Sequence, residues 1–298
     1  MHAQSRHRAA LALIFITPAL WTVNYLVGRS APGVIEPHLL ALLRWLMAGV
    51  LFSLGAHAEL WAHRHQIAAD WKHYLVLGAL GMWICGAWVY IGARTTGAVN
   101  IALIYAISPV LIVAFSALWL RERFKLLQAC GLALALAGVL HVVLKGHWAA
   151  LAAVQFVPGD GWILAATLSW TVYSVLLKKW PSPLGPSARL TVISLAGVLV
   201  LLPFVIWEAL VNPLPVLTVQ GFGLALAAAF FPGYGAYLAY SVMQRELGAA
   251  RVSVVLYLGP IYTAIMAWLV LGEPLQAYHA WGMVLVLPGI YLVQRSPK

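Results

Sequence analysis

Charge is what this chain has least of. Only 9% of its 298 residues are Asp, Glu, Lys or Arg, against about a quarter in a soluble globular domain. With 63% hydrophobic residues, no soluble fold has a core large enough to hide the apolar surface, so lipid must be the solvent. Carboxylates are scarcer still. The eight acidic residues are Glu36, Glu59, Asp70, Glu122, Asp160, Glu208, Glu246 and Glu273, and all fall in expected loops or at helix ends. A proton antiporter that binds cations is expected to place a carboxylate at membrane depth, so the sequence argues against cationic drugs as main substrates. Two cysteines, Cys85 and Cys130, fall inside apolar runs and make neither a disulfide framework nor a metal cluster. An intramembrane enzyme would need a Ser/His, paired-Asp or His-rich constellation within the spans; none is found. The expectation is therefore a protein that is not an enzyme, with no catalytic residues, metal site or cofactor.

What is there is a succession of ten apolar stretches of membrane-crossing length, about 20 residues each. They run over 9–28, 38–56, 73–93, 98–120, 126–145, 160–178, 187–207, 218–242, 249–270 and 276–294. The connections leave no room for a soluble domain. The stretch after Arg6 and Arg8 continues through Trp21, Asn24 and Tyr25 without a small-residue cleavage site and reads as a retained first helix rather than a signal peptide.

The formal charge of +10 is a topology signal, not a sign of a nucleic-acid partner. With the N-terminus inside, ten spans give cytoplasmic segments carrying Arg6, Arg8, Arg64, Lys72, Arg121, Arg123, Lys125, Lys178, Lys179, Arg189, Arg245, Arg251, Arg295 and Lys298. Only Arg29, Arg44, Arg94 and Lys145 go to the other side, the bias expected of cytoplasmic loops. The expected location is the bacterial inner (plasma) membrane, multi-pass, with both termini cytoplasmic. The expected partners are the lipid bilayer and a small-molecule substrate; the oligomeric state is not legible.

An internal repeat is the strongest feature. The segment from Asn100 aligns without gaps on the segment from Arg251, pairing Pro109 with Pro260, Glu122 with Glu273, Gly131 with Gly282 and Gly138 with Gly289 at one offset of 151. Earlier the register drifts: Trp21 recurs as Trp170, and Gly86 and Tyr90 as Gly233 and Tyr237. The second helices align poorly, although Arg44 can be set against Arg189. The units divide the chain into residues 1–148 and 149–298. Each holds five spans, an odd number, so the second copy enters the membrane the opposite way round. The fold class is all-α polytopic, with ten transmembrane helices as two inverted five-helix repeats around a central cavity, an architecture typical of secondary transporters.

A helix with a central Pro, a Glu at its end and then a Gly-rich helix occurs at Pro109, Glu122, Gly131 and Gly138, and again at Pro260, Glu273, Gly282 and Gly289. In this the chain resembles the EamA family of the drug/metabolite transporter superfamily over nearly its whole length, weakly over helices two and seven. It is most like the YddG-type amino-acid exporters. The resemblance implies a ten-helix basket whose central cavity is lined mainly by helices other than the fifth and tenth.

Several residues qualify for that cavity. Trp21 and Asn24 lie three apart on one helix face, as do their mates Trp170 and Tyr173. An amide within a span is costly without a partner, which makes Asn24 informative. Tyr90 and Tyr237 are mates, with Tyr234 nearly one turn earlier, while Tyr105, Ser108 and Tyr257 precede the two prolines. Together they would form an aromatic chamber with a few hydroxyls and amides; the alternative is core packing or an interfacial belt, the role expected of Trp61, Trp71, Trp148 and Trp281. Pro109 and Pro260 are either hinges with freed carbonyls or static kinks. Arg44 can bind a substrate carboxylate, or snorkel to the surface or pair with a helix end. His38 and His141 are expected at the interface. The functional expectation is export of small neutral metabolites, amino acids foremost, by alternating access. The alternatives are a phosphorylated-sugar or nucleotide-sugar exchanger and a non-transporting scaffold or channel.

Overall fold

The structure is a computed structural model that describes residues 2–212, 217–271 and 274–295. Among these residues every regular element is helical. This follows from the solvent, because a backbone crossing hydrocarbon must satisfy its own polar groups. The membrane helices are α1 (His2–Ser30), α2 (Pro37–Ser53), α3 (Trp71–Gly92), α4 (Ala98–Trp119), α5 (Leu126–Val143), α6 (Pro158–Lys179), α7 (Pro186–Val211) and α8 (Val219–Leu247). They are followed by α9, which runs through Ala249–Ser253, Val254–Leu258 and Gly259–Leu271, and by α10 (Ala277–Arg295). Eight are long and apolar enough to cross a membrane; α2 is a shorter apolar helix, and α10 lies along α5. Pro37, Pro158 and Pro186 open α2, α6 and α7, where the missing N–H costs nothing. Gly248, at φ +90, makes the tight link between α8 and α9. Glu273 lies outside the described residues.

Helices α5 and α10 show the inversion directly. A Cβ built on Gly131 would lie 2.6 Å from the Gly289 carbonyl oxygen, and one on Gly138 would lie 2.9 Å from the Gly282 carbonyl oxygen. As the number rises along α5 it falls along α10, so the two helices run antiparallel. They are also repeat mates, and repeat mates that run antiparallel require an inverted repeat. Their backbones touch because glycine removes the side chain that would keep them apart, a common way for helices to associate in lipid.

The two units interlock. Helix α1 packs against α8 and α9 of the second unit, and α6 packs against α3 and α4 of the first. Likewise α2 lies along α7 and α8, and α7 along α2 and α3. Most of the core therefore forms between the repeats rather than within them.

A pair of carboxylates fastens α2 to α7 at both ends. Near the end of α7, buried Glu208 accepts from the backbone N–H groups of His38 (3.2 Å) and Leu39 (3.3 Å) and meets His38 Nδ1 at 3.0 Å. Just after α2, Glu59 Oε1 accepts from Gly185 N at 2.5 Å, immediately before α7. Each anion satisfies N–H groups that a helix start leaves without partners. The two glutamates stand at the Trp21 to Trp170 spacing, so they are repeat mates in the region where the sequence comparison found little. His38, at the first turn of α2, is buried in the protein against Glu208.

Candidate substrate chamber

The chamber begins with Arg44, at the middle of α2 and only 4% exposed. Its Nη1 donates to Asn24 Oδ1 of α1 at 3.2 Å and to the Tyr90 hydroxyl of α3 at 3.4 Å. Tyr90 in turn donates to Asn24 Oδ1 at 2.6 Å. The guanidinium lies 4.6 Å from the Trp45 ring centroid and 5.9 Å from that of Tyr237, and its Nε has no hydrogen-bond partner. The ion pairs among the described residues are His38–Glu208, His73–Asp70 and Arg94–Glu36. Arg44 is therefore a buried cation held by neutral groups, and it does not snorkel. Taking a charge out of water costs several kcal/mol without a counter-ion, which makes this position attractive to an anion.

From Arg44 an aromatic cluster extends through Trp45 and Tyr237, whose rings lie 4.6 Å apart. Tyr237 meets Trp170 at 5.4 Å, Trp170 stacks on Tyr173 at 5.4 Å, and Trp21 meets Trp170 edge-on at 5.7 Å. Tyr240 joins Trp21 at 5.5 Å and Trp170 at 5.0 Å. Glycines on α3 admit these rings: a Cβ on Gly81 would strike the Tyr173 ring at 2.8 Å, and one on Gly86 would strike Trp45 Nε1 at 2.9 Å. Around Gly81 the helix widens to a π turn, Ala79–Ile84, and α8 does the same over Ala229–Ala236, where Pro232 interrupts the ladder. Such turns leave carbonyls available to other helices. The Gly81 carbonyl accepts from Tyr237 (3.2 Å) and the Leu80 carbonyl from Ser169 (2.8 Å).

Most of the residues singled out in the sequence converge here. Trp21, Trp170, Tyr173 and Tyr237 form the cluster, Asn24 and Tyr90 hold Arg44, and half-buried Tyr105 lies within electrostatic reach of Arg44 and Tyr90. The exception is Tyr234, which packs on Phe52 (5.0 Å) and Phe230 (6.5 Å), away from the chamber. Its offset of three residues from Tyr237 is rotated further by the π turn. Ser108 and Tyr257 are fully buried, and neither oxygen has a partner. Pro109 and Pro260 each begin the second segment of a broken helix, after a break at Ile107 in α4 and after the 3₁₀ turn Val254–Leu258 in α9. Sequence reasoning passed over Trp45 and Tyr240. The signal for Tyr240 was its spacing of three from Tyr237, whereas Trp45, next to Arg44, carried none. Trp61, Trp71, Trp148 and Trp281 are exposed near helix ends, where a belt would lie.

Two inverted five-helix units packed around a buried arginine and an aromatic cluster fit a membrane protein of the transporter class. The EamA-like transporter family matches residues 8–144 and 157–295, once per repeat, and the chain belongs to that family. It is similar to the uncharacterized transporter YvbV of Bacillus subtilis, 26% identical over 98% of this chain and 93% of the relative. YyaM of the same organism, also an uncharacterized transporter, is 26% identical over 79% of this chain and 78% of the relative. The protein PecM of Dickeya dadantii is 28% identical over 94% of this chain and 90% of the relative. A solved crystal structure superposes with a TM-score of 0.76 at 19% identity, covering 96% of each chain, which shows the fold.

Proposed function

We propose that this transporter exports small neutral metabolites, neutral amino acids foremost, across the bacterial inner membrane by alternating access. The observation that carries the reading is the Arg44 guanidinium, buried without a carboxylate partner and contiguous with an aromatic cluster. A zwitterion fits both features, with its carboxylate on Arg44 and its apolar side chain against Trp21, Trp170 and Tyr237. A phosphorylated sugar or nucleotide-sugar would bring two or more negative charges and call for further Lys or Arg beside Arg44, where the neighbours are Asn24, Tyr90, Trp45 and Tyr237. The basic-residue bias supports cytoplasmic termini, which makes the ends of α6 and α8 that carry Lys178, Lys179 and Arg245 cytoplasmic. Counterflow in proteoliposomes preloaded with each of a panel of amino acids, sugar phosphates and cationic dyes tests the reading. Neutral amino acids with large apolar side chains are expected to drive uptake; uptake driven only by sugar phosphates would overturn it.

Alternating access needs each half to bend, and the interruptions before Pro109 and Pro260 are repeat-equivalent places to do so. Pro109→Ala and Pro260→Ala are expected to fold, to slow counterflow, and to shift water accessibility of a cysteine at each chamber mouth toward opposite faces. A shift in the same direction, or transport at the unaltered rate, would make the prolines static shaping devices.

A further inference from the structure

A polar cavity of about 200 Å³ lies among the basic ends of α6, α7 and α8. Lys178, Arg189 and Arg245 line it together with Ser182, Ser241 and Gln244. No carboxylate belongs to this lining, and none of the three cations takes part in an ion pair among the described residues. Arg189 is held in place by the end of α6, donating to the carbonyls of Leu177 (2.8 Å) and Trp180, while its Nε is buried without a partner.

Between the cavity and the aromatic cluster lie Gln244, Ser174 and Tyr240. Gln244 Nε2 donates to the Ser174 carbonyl at 2.7 Å, and Tyr240 donates to Ser174 Oγ at 3.3 Å. On its other side Tyr240 touches Trp21 and Trp170. Arg189 lies near the start of α7, whereas Arg44 lies at the middle of α2.

The geometry points to a loading site for the carboxylate of the transported solute. Arg189, Arg245 and Lys178 hold a small monocarboxylate at the cytoplasmic mouth before it passes Gln244, Ser174 and Tyr240 toward Arg44. The direction rests on the export reading; the anion site does not. A headgroup of an anionic lipid offers similar chemistry, but buried Ser241 and Gln244 lead inward from the cavity toward the chamber, which favours a solute.

Exposed Pro181 lines the same cavity, so Pro181→Cys can report on it in phosphatidylcholine proteoliposomes, with the parent chain as the blank. Benzoate is expected to slow maleimide alkylation of this cysteine, and benzamide, its neutral counterpart, is not. Adding Lys178→Gln and Arg245→Gln, both at exposed positions, should raise the benzoate concentration needed by about tenfold, as for the loss of charge-assisted hydrogen bonds. Arg189→Gln removes an α6 cap as well and is not needed for the test. Absence of benzoate protection, or equal protection by benzamide, would overturn the proposal, as would protection that appears only when phosphatidylglycerol is added, which would assign the cavity to lipid. Benzoate protection without amino-acid counterflow would sink the export reading and leave the anion site standing, whereas counterflow without protection would do the reverse.

Discussion

Arg44→Gln is expected to abolish measurable counterflow while leaving the ligand-free protein as stable as before, or more stable. The two effects have one cause. In the folded chain the guanidinium is buried against Asn24, Tyr90, Trp45 and Tyr237 with no anion to offset its desolvation. Removing a buried, unneutralised charge relieves a cost of several kcal/mol, and Gln retains a donor for Asn24. The bound substrate loses its counter-ion: truncating one member of a buried, hydrogen-bonded charge pair costs about 2–5 kcal/mol, which is about 30-fold or more in affinity. Arg44→Lys keeps the charge but not the planar fork of donors, so it should retain a fraction of the activity. Counterflow and thermal unfolding in detergent, measured on the same preparations, decide the matter. If Arg44→Gln transports normally, or if its activity falls only as its folded fraction falls, Arg44 is a structural residue and the carboxylate anchor must be sought elsewhere.

The largest effect on stability is expected from Gly289→Val. A Cβ at this position would lie 2.6 Å from the Gly131 carbonyl oxygen, 2.7 Å from Ala135 N and 2.9 Å from Ala135 Cβ. Two of these are backbone atoms, which cannot rotate away, so α5 and α10 must separate along the seam. Overpacking a well-filled contact costs about 1–3 kcal/mol, occasionally more, and backbone contacts place this substitution at the upper end. The seam also loses the close approach on which helix association in lipid depends. Gly223→Val is the control: it lies in α8, is exposed, and a Cβ there meets nothing within 4 Å. In helix propensity alone Val is better than Gly by a few tenths of a kcal/mol, so no loss of stability is expected from it. Equal melting temperatures for the two variants would mean that α5 and α10 are not held together at these glycines.

These two positions also show what a sequence reader can and cannot reach. Gly289 and its partners were visible as a repeated spacing, and the structure explains the spacing as mutual: each repeat supplies glycines to seat the other. Arg44 was visible as an anomaly, a charge inside an apolar run, but its surroundings were not. Asn24 and Tyr90 lie 20 and 46 residues away from it in the chain, and Tyr237 lies in the other repeat. The Glu59 and Glu208 clasps were missed because their helices had diverged in sequence while keeping the same end-to-end contact. Tyr234 has other ring neighbours than Tyr237, because the π turn over Ala229–Ala236 breaks the regular helical spacing.

The sequence by itself determined that lipid is the solvent, where most of the helices begin and end to within about four residues, and that two five-helix units must be inverted; the start of α1 and the end of α8 lie further out. Those properties follow from composition, from length and from an odd count of spans, none of which depends on distant contacts. Which face of each helix turns inward was decided only by the tertiary structure. In water an amphipathic stripe announces the buried face. In hydrocarbon both faces of a helix are apolar, and association depends on close packing and a few polar contacts between elements far apart in the chain. The interlocking of α1 with α8 and α9, and of α6 with α3 and α4, is of this kind, and it is what gathers Arg44, Asn24, Trp170 and Tyr237 around one chamber.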